Sequence, residues 1–139
     1  MSHKDIAQNI AQRHRTKTEK TDAEHISIRG AHMYIRGDHA ELVVEGRLDV
    51  RSAADARTVL HSAVDDGAGD LVLDLTGLDS WDATGLGVIM GAHRRAGRCG
   101  RRLVLRGVPA QMQRLLVATR LHRILAIEGG IEAESLPRV

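Results

Sequence analysis

Two short apolar runs, D-L-V-L-D-L at 70–75 and R-L-V-L-R at 102–106, constrain the fold more than any other feature of the chain. Each is too short for a helix and apolar nearly throughout, as expected of a central strand buried on both faces. Each is followed by residues at helical spacing. After the first come Leu86, Ile89, Met90 and His93, with Gly97 and Gly100 marking the exit. After the second come Met112, Leu115 and Leu116, with Pro109 suited to the first turn. Strand–helix repeats of this kind build an α/β layer fold, and right-handed crossovers put the helices after parallel strands on one face.

The residues upstream extend this pattern. H-M-Y-I-R and A-E-L-V-V-E-G flank a G-D-H turn and predict a hairpin near the start of the body at Ala31. Ser52 predicts a helix cap with Asp55 in the first turn, Ala56, Val59, Leu60, Ala63 and Val64 form an inward stripe, and Gly67 ends the helix. R-I-L-A-I at 123–127 predicts a last short strand. The order ββαβαβα describes one α/β domain with a mixed sheet of four to five strands, spanning 31–128 and followed by a tail at 129–139. With no phenylalanine, one tyrosine and one tryptophan in 139 residues, the core must be aliphatic. Residues 1–30 read as a polar, flexible extension in which Ile6, Ala7, Ile10 and Ala11 share one helical stripe.

Composition narrows the function classes. No apolar stretch reaches the ~18 residues that span a bilayer, and Met1–Lys20 lacks a secretory signal, so a cytoplasmic location is expected. Cys99 is alone, which excludes an internal disulfide and a multi-cysteine metal cluster; an inert loop thiol is the simpler account. The eight histidines show no metal-binding spacing, and no nucleophile–base pair stands out, so neither an enzyme nor a metal or cofactor is expected. Residues 31–82 carry four arginines against eleven acids, whereas 83–127 carry nine arginines and no acid. The arginines lack interleaved aromatics for base stacking, so direct nucleic-acid binding is not expected. Arg94, Arg95, Arg98, Arg101 and Arg102 read as a solvated helix end that could steer an acidic partner.

Function in open α/β sheets gathers beyond the carboxyl ends of the strands. Here S-W-D-A-T-G-L-G at 80–87 forms such an end, with Asp49 on a neighbouring one. A helix beginning at Ala83 or Thr84 would expose unpaired N–H groups there, with Asp82 as cap. A phosphate at this point would meet N–H donors but also the carboxylates of Asp82 and Asp49. Capping and switching want the same residue types, so spacing alone leaves both open. Trp81 is equally suited to packing or to anchoring a partner.

Five segments in order resemble the STAS domains of anti-sigma factor antagonists: G-R-L-D (46–49), L-V-L-D-L-T-G-L (71–78), D-A-T-G-L-G-V-I (82–89), A-H-R-R-A-G (92–97) and R-L-V-L-R-G-V-P-A-Q-M-Q-R-L-L (102–116). The resemblance implies a STAS-like fold and a partner switch. Such proteins bind a serine kinase anti-sigma factor and so release a sigma factor. The kinase phosphorylates the first hydroxyl of an Asp-Ser-Ser/Thr-Gly motif to end binding. Asp82, Thr84 and Gly85 match that motif, but the acceptor position is Ala83. The docking loop implied comprises Asp49, Ser80, Trp81, Asp82, Ala83, Thr84, Gly85 and Leu86, with a weak homodimer as a further option. Three readings follow: an antagonist that is not switched off at Ala83, one phosphorylated instead on Thr84, or a non-phosphorylated interaction subunit of a lipid-transport or signalling assembly. The first leads. Thr84 would point about 100° away from Ala83 on a helix, and a helix-start threonine is commonly structural.

Overall fold

A computed structural model describes residues 17–19, 26–30 and 32–131. The elements, in chain order, are β1 (Lys17–Glu19), β2 (Ile26–Gly30), β3 (Met33–Gly37), β4 (Glu41–Leu48), α1 (Ala53–Asp66), β5 (Leu71–Asp74), β6 (Leu78–Trp81), α2 (Ala83–Arg98), β7 (Leu103–Arg106), α3 (Ala110–Ala118), a 3-10 turn (Leu121–Arg123) and β8 (Ala126–Ile127). The strands form one mixed sheet in the order β1-β2-β3-β4-β5-β7-β8, with β6 paired to β4 outside that path. β1 to β4 run antiparallel to one another, and β4-β5, β5-β7, β7-β8 and β4-β6 are parallel.

The α/β class and the mixed sheet are as the sequence predicts, but the sheet has eight strands rather than four or five. The body also begins before Ala31. β2 pairs with β3 along its whole length, and β1 pairs with β2. The stripe at Ile6–Ala11 and most of the 129–139 tail lie outside the described residues. Of the strand expected at 123–127, only Ala126–Ile127 pairs, because the chain first closes the 3-10 turn.

A second difference concerns burial. Leu71, Leu73, Leu103 and Leu105 are buried, whereas Val72, Asp74, Val104 and Arg106 between them are half-exposed. The sheet is therefore covered on one face, not both. That covered face joins Ile35, Leu42, Val44 and Leu48 to the inward stripes of the helices in one apolar cluster. Ala56 and Ala63 of α1 and Ala92 and Ala96 of α2 belong to it, and these small side chains let the two helices pack closely.

β4 is what positions the site. Glu41–Val43 pair with β5, but the register shifts between Gly46 and Arg47, and Gly46–Leu48 pair with β6 instead. Gly46 has φ +88°, in the region that favours glycine, and a Cβ there would collide with the His32 carbonyl. This bulge carries the end of β4 away from β5 and sets Leu48 opposite Trp81.

Candidate functional site

Because Leu48 and Trp81 are register partners, Asp49 and Asp82 leave the sheet side by side at its carboxyl edge. The Asp82 N–H donates to the Leu48 carbonyl at 3.3 Å. Asp82 is the N-cap of α2, its backbone extended as capping requires. Its Oδ1 accepts the Gly85 N–H at 2.8 Å and its Oδ2 accepts the Val50 N–H at 3.1 Å. One carboxylate thus ties the start of α2 to the turn between β4 and α1.

That turn is closed from within. Asp49 Oδ1 accepts the Arg51 N–H at 2.9 Å. Ser52, which the sequence predicts as a helix cap, holds the cap position of α1 without making a capping bond. Its hydroxyl is fully buried; it donates to the Arg47 carbonyl at 2.7 Å and accepts the Asp49 N–H at 3.1 Å. The turn, not the helix, takes its hydrogen bonds.

Gly85 has a steric reason. A Cβ there would overlap the Leu48 carbonyl oxygen and lie 2.7 Å from its carbon, because the first turn of α2 rests on the β4 backbone. Ala83 and Thr84, the first two residues of α2, are exposed. Their N–H groups have no backbone acceptor among the described residues, and the Thr84 hydroxyl has no hydrogen bond to one. Ser80 is exposed on β6 opposite Arg47, and Trp81 is half-buried against the core. Leu86 is 8% exposed and belongs to the core, so its part in any docking is indirect. Val50, which sequence reasoning passed over, stands 68% exposed at the tip of the turn; an isolated valine between Asp49 and Arg51 was the available signal.

The arginine cluster is not a uniform solvated patch. Arg95 makes a two-pronged pair with Asp65 of α1, at 2.8 and 2.7 Å, and this hydrogen bonding holds its pKa above the ordinary value. Arg102 pairs with Asp70 at 2.7 Å in the open. Arg101 is only 6% exposed and donates to backbone carbonyls of Ala63 (2.8 Å), Gly69 (2.9 Å) and His39 (2.5 Å), among others. Burial lowers its pKa, and the carbonyls supply the acceptors that water no longer does. Arg94 and Arg98 remain exposed without a side-chain partner among the described residues.

Among the described residues no group of three His, Cys, Asp or Glu is placed to hold a metal ion, and no helix is long and apolar enough to cross a membrane. A shallow depression of about 410 Å³ lies on the open sheet face, floored by Val72, Val104 and Ala126. No residue of the Asp49–Asp82 site lines it.

The family described as "Mlab, STAS domain" matches residues 32–127, and the chain belongs to the STAS-domain family. An anti-sigma-B factor antagonist of Staphylococcus aureus is 30% identical over 94 residues, covering 68% of this chain and 87% of that one. Among solved structures, a candidate anti-sigma factor antagonist of Thermotoga maritima superposes with a TM-score of 0.56 at 18% identity, over 84% of this chain and 88% of that one. The anti-sigma factor antagonist SpoIIAA, in its unphosphorylated form, gives 0.50 at 16% identity, over 86% and 93%. Both share the fold.

Proposed function

We propose that this chain is an anti-sigma factor antagonist that acts in the cytoplasm by binding, not by catalysis. It docks the start of α2 and the adjoining β4–α1 turn on a serine kinase anti-sigma factor, and so frees a sigma factor. The relatives named as anti-sigma-B factor antagonists support the class. The observation that carries the particular reading is Ala83. It is exposed at the first position of α2, between a fully engaged Asp82 cap and the sterically required Gly85, yet it has no hydroxyl.

The docking loop therefore keeps its shape while lacking the group on which a kinase would act at that position. The antagonist remains competent to bind where a serine-bearing one would be switched off. Thr84 is the competing acceptor, since it is exposed and its hydroxyl makes no hydrogen bond among the described residues. Mixing the chain with the kinase anti-sigma factor of its own organism and ATP separates the two. The expected result is stable binding with no phosphate incorporated. Incorporation that disappears in Thr84→Ala overturns it in favour of a switch at Thr84.

Ala83 also favours a second reading, in which the domain is a non-phosphorylated interaction subunit of a lipid-transport or signalling assembly. Binding to a kinase anti-sigma factor with displacement of its sigma factor decides for the first reading. Failure to bind any such factor, with co-purification of transporter subunits, decides for the second.

A further inference from the structure

Val50 is one of three large aliphatic side chains that stand exposed among the described residues, the others being Leu115 and Ile124. It alone adjoins the Asp49–Asp82 site, through the hydrogen bond from its own N–H to Asp82 Oδ2. Three further bonds hold the turn that presents it: Arg51 N–H to Asp49, the Ser52 hydroxyl to Arg47, and Asp49 N–H to Ser52. An exposed valine on a loop fixed at four points is pre-organised, so little ordering would be needed on binding.

Charge frames it. Asp49 and Asp82 are half-buried and bond their carboxylates to backbone N–H groups of the site, whereas Arg47 and Arg51 on either side of Val50 are exposed and have no side-chain partner among the described residues. Asp79 of β6 and Asp55 of α1 are the nearest carboxylates in sequence to this edge that make no hydrogen bond or ion pair among the described residues, and both sit on the flanking elements rather than on the turn. Val50 thus stands between two exposed cations without a side-chain partner, next to the Asp49 carboxylate, which is bonded to the Arg51 N–H.

We propose that Val50 is the anchor of the docking surface, inserting into an apolar socket of the protein partner whose rim is acidic and meets Arg47 and Arg51. This rests on the function proposed above, since the partner is the anti-sigma factor, and it adds which residue holds that partner and what the partner must offer. A few well-packed, desolvated residues carry most of an interface's affinity, and rim charges act chiefly on the association rate.

The test measures binding of the kinase anti-sigma factor of the same organism to the full chain by surface plasmon resonance. Val50→Asp is expected to weaken affinity at least tenfold, mainly through faster dissociation, while Val50→Leu keeps it. Ile124→Asp, at a site 57% exposed, is the control and should leave affinity within about twofold. Arg47→Ala with Arg51→Ala should slow association and flatten its salt dependence. Thermal unfolding checks that each variant folds; Val50→Thr, of nearly the same shape, replaces Val50→Asp if the latter does not, with the same direction expected. Wild-type binding that Val50→Asp or Val50→Thr leaves unchanged overturns this proposal and spares the proposed function. Wild-type failure to bind overturns both. Loss of self-association in Val50→Asp with intact binding of the anti-sigma factor assigns the surface to a second copy of this chain, and also overturns it.

Discussion

At the scale of single residues, the site depends on one carboxylate and one missing side chain. Asp82 accepts from two backbone N–H groups, one in the first turn of α2 and one in the β4–α1 turn, so Asp82→Ala removes both a helix cap and the tie to Val50. A cap is worth ~1 kcal/mol, and a hydrogen bond to a charged group somewhat more, which sets the expected loss at about 2 kcal/mol. Asp82→Asn keeps one good acceptor and should lose about half of that; chemical denaturation measures both, and equal losses would argue against the bridging role. Gly85→Ala tests the other half. Its methyl would collide with the Leu48 carbonyl, where backbone cannot yield as a flexible side chain would. A loss of about 2 kcal/mol is expected from such overpacking, with α2 displaced from β4. Gly87 provides the contrast, because a Cβ there meets nothing within 4 Å, and Gly87→Ala should stabilise the helix slightly.

At the scale of elements, the joins matter more than the elements themselves. Arg101 sits after α2 and gathers carbonyls from the last turn of α1, from the loop to β5 and from the turn before β4. It satisfies acceptors that a helix end leaves unpaired and places a cation at the negative end of α1. Gly67 accommodates it, since a Cβ there would lie 2.8 Å from the guanidinium. Arg101→Lys cannot reach these directions together, and a loss of about 3 kcal/mol in urea unfolding is expected. His61 reports on the packing of α1 beside α2. Burial, then Arg95 and Arg57, hold its pKa below 6.5, and Asp65 only partly opposes them. The unfolded chain thus takes up this proton first, so the stability His61 permits is complete above pH 6.5 and declines as pH falls through that value toward the lower folded pKa. The wild-type melting temperature should fall more between about pH 7.5 and 5.5 than that of His61→Gln. Parallel falls would remove His61 as the cause.

At the scale of the whole molecule, what was legible in the sequence was whatever is local. The helices at α1, α2 and α3 and the strands at β5 and β7 follow from spacing within one segment, and Asp82 as a cap follows from its place before a helix. L-D-S-W at 78–81 carries no such signal; it becomes β6 only because the bulge at Gly46 turns the end of β4 toward it. Ile26–Gly30 was hidden in polar sequence, yet Ile28 is core and Ser27 is buried with its hydroxyl donating to Tyr34. The setting of Val50 likewise depends on a partner distant in sequence, Asp82, whereas Ser52 turns inward onto Arg47 and Asp49 of its own turn. Charge is the clearest case. The split between an acidic and a basic half is real, but folding draws the halves together through Arg95–Asp65, Arg102–Asp70 and Arg106–Glu41.

This cross-pairing makes a prediction for the molecule in acid. The Arg102 hydrogen bond holds Asp70 below its ordinary pKa; for Asp74, burial pushes upward, but bonds from Thr76 and the charges of Arg106 and Arg36 leave it lowered. Both carboxyls have lower pKa values in the folded state, so their contribution is present above about pH 4 and is lost as pH falls through the folded values. Protonation then leaves 20 lysines and arginines and eight charged histidines with no acids to oppose them, and self-repulsion adds to the loss. Unfolding below about pH 4 should be cooperative, and raising salt from roughly 0.05 to 0.5 M should move it to lower pH by screening that repulsion. At neutral pH the same salt should change the melting temperature little, because pairs as exposed as Arg102–Asp70 contribute little there. Circular dichroism followed against pH at the two salt concentrations measures both effects. An acid transition that salt moves to higher pH would mean that attraction between the halves, rather than repulsion within the protonated chain, sets the limit of stability.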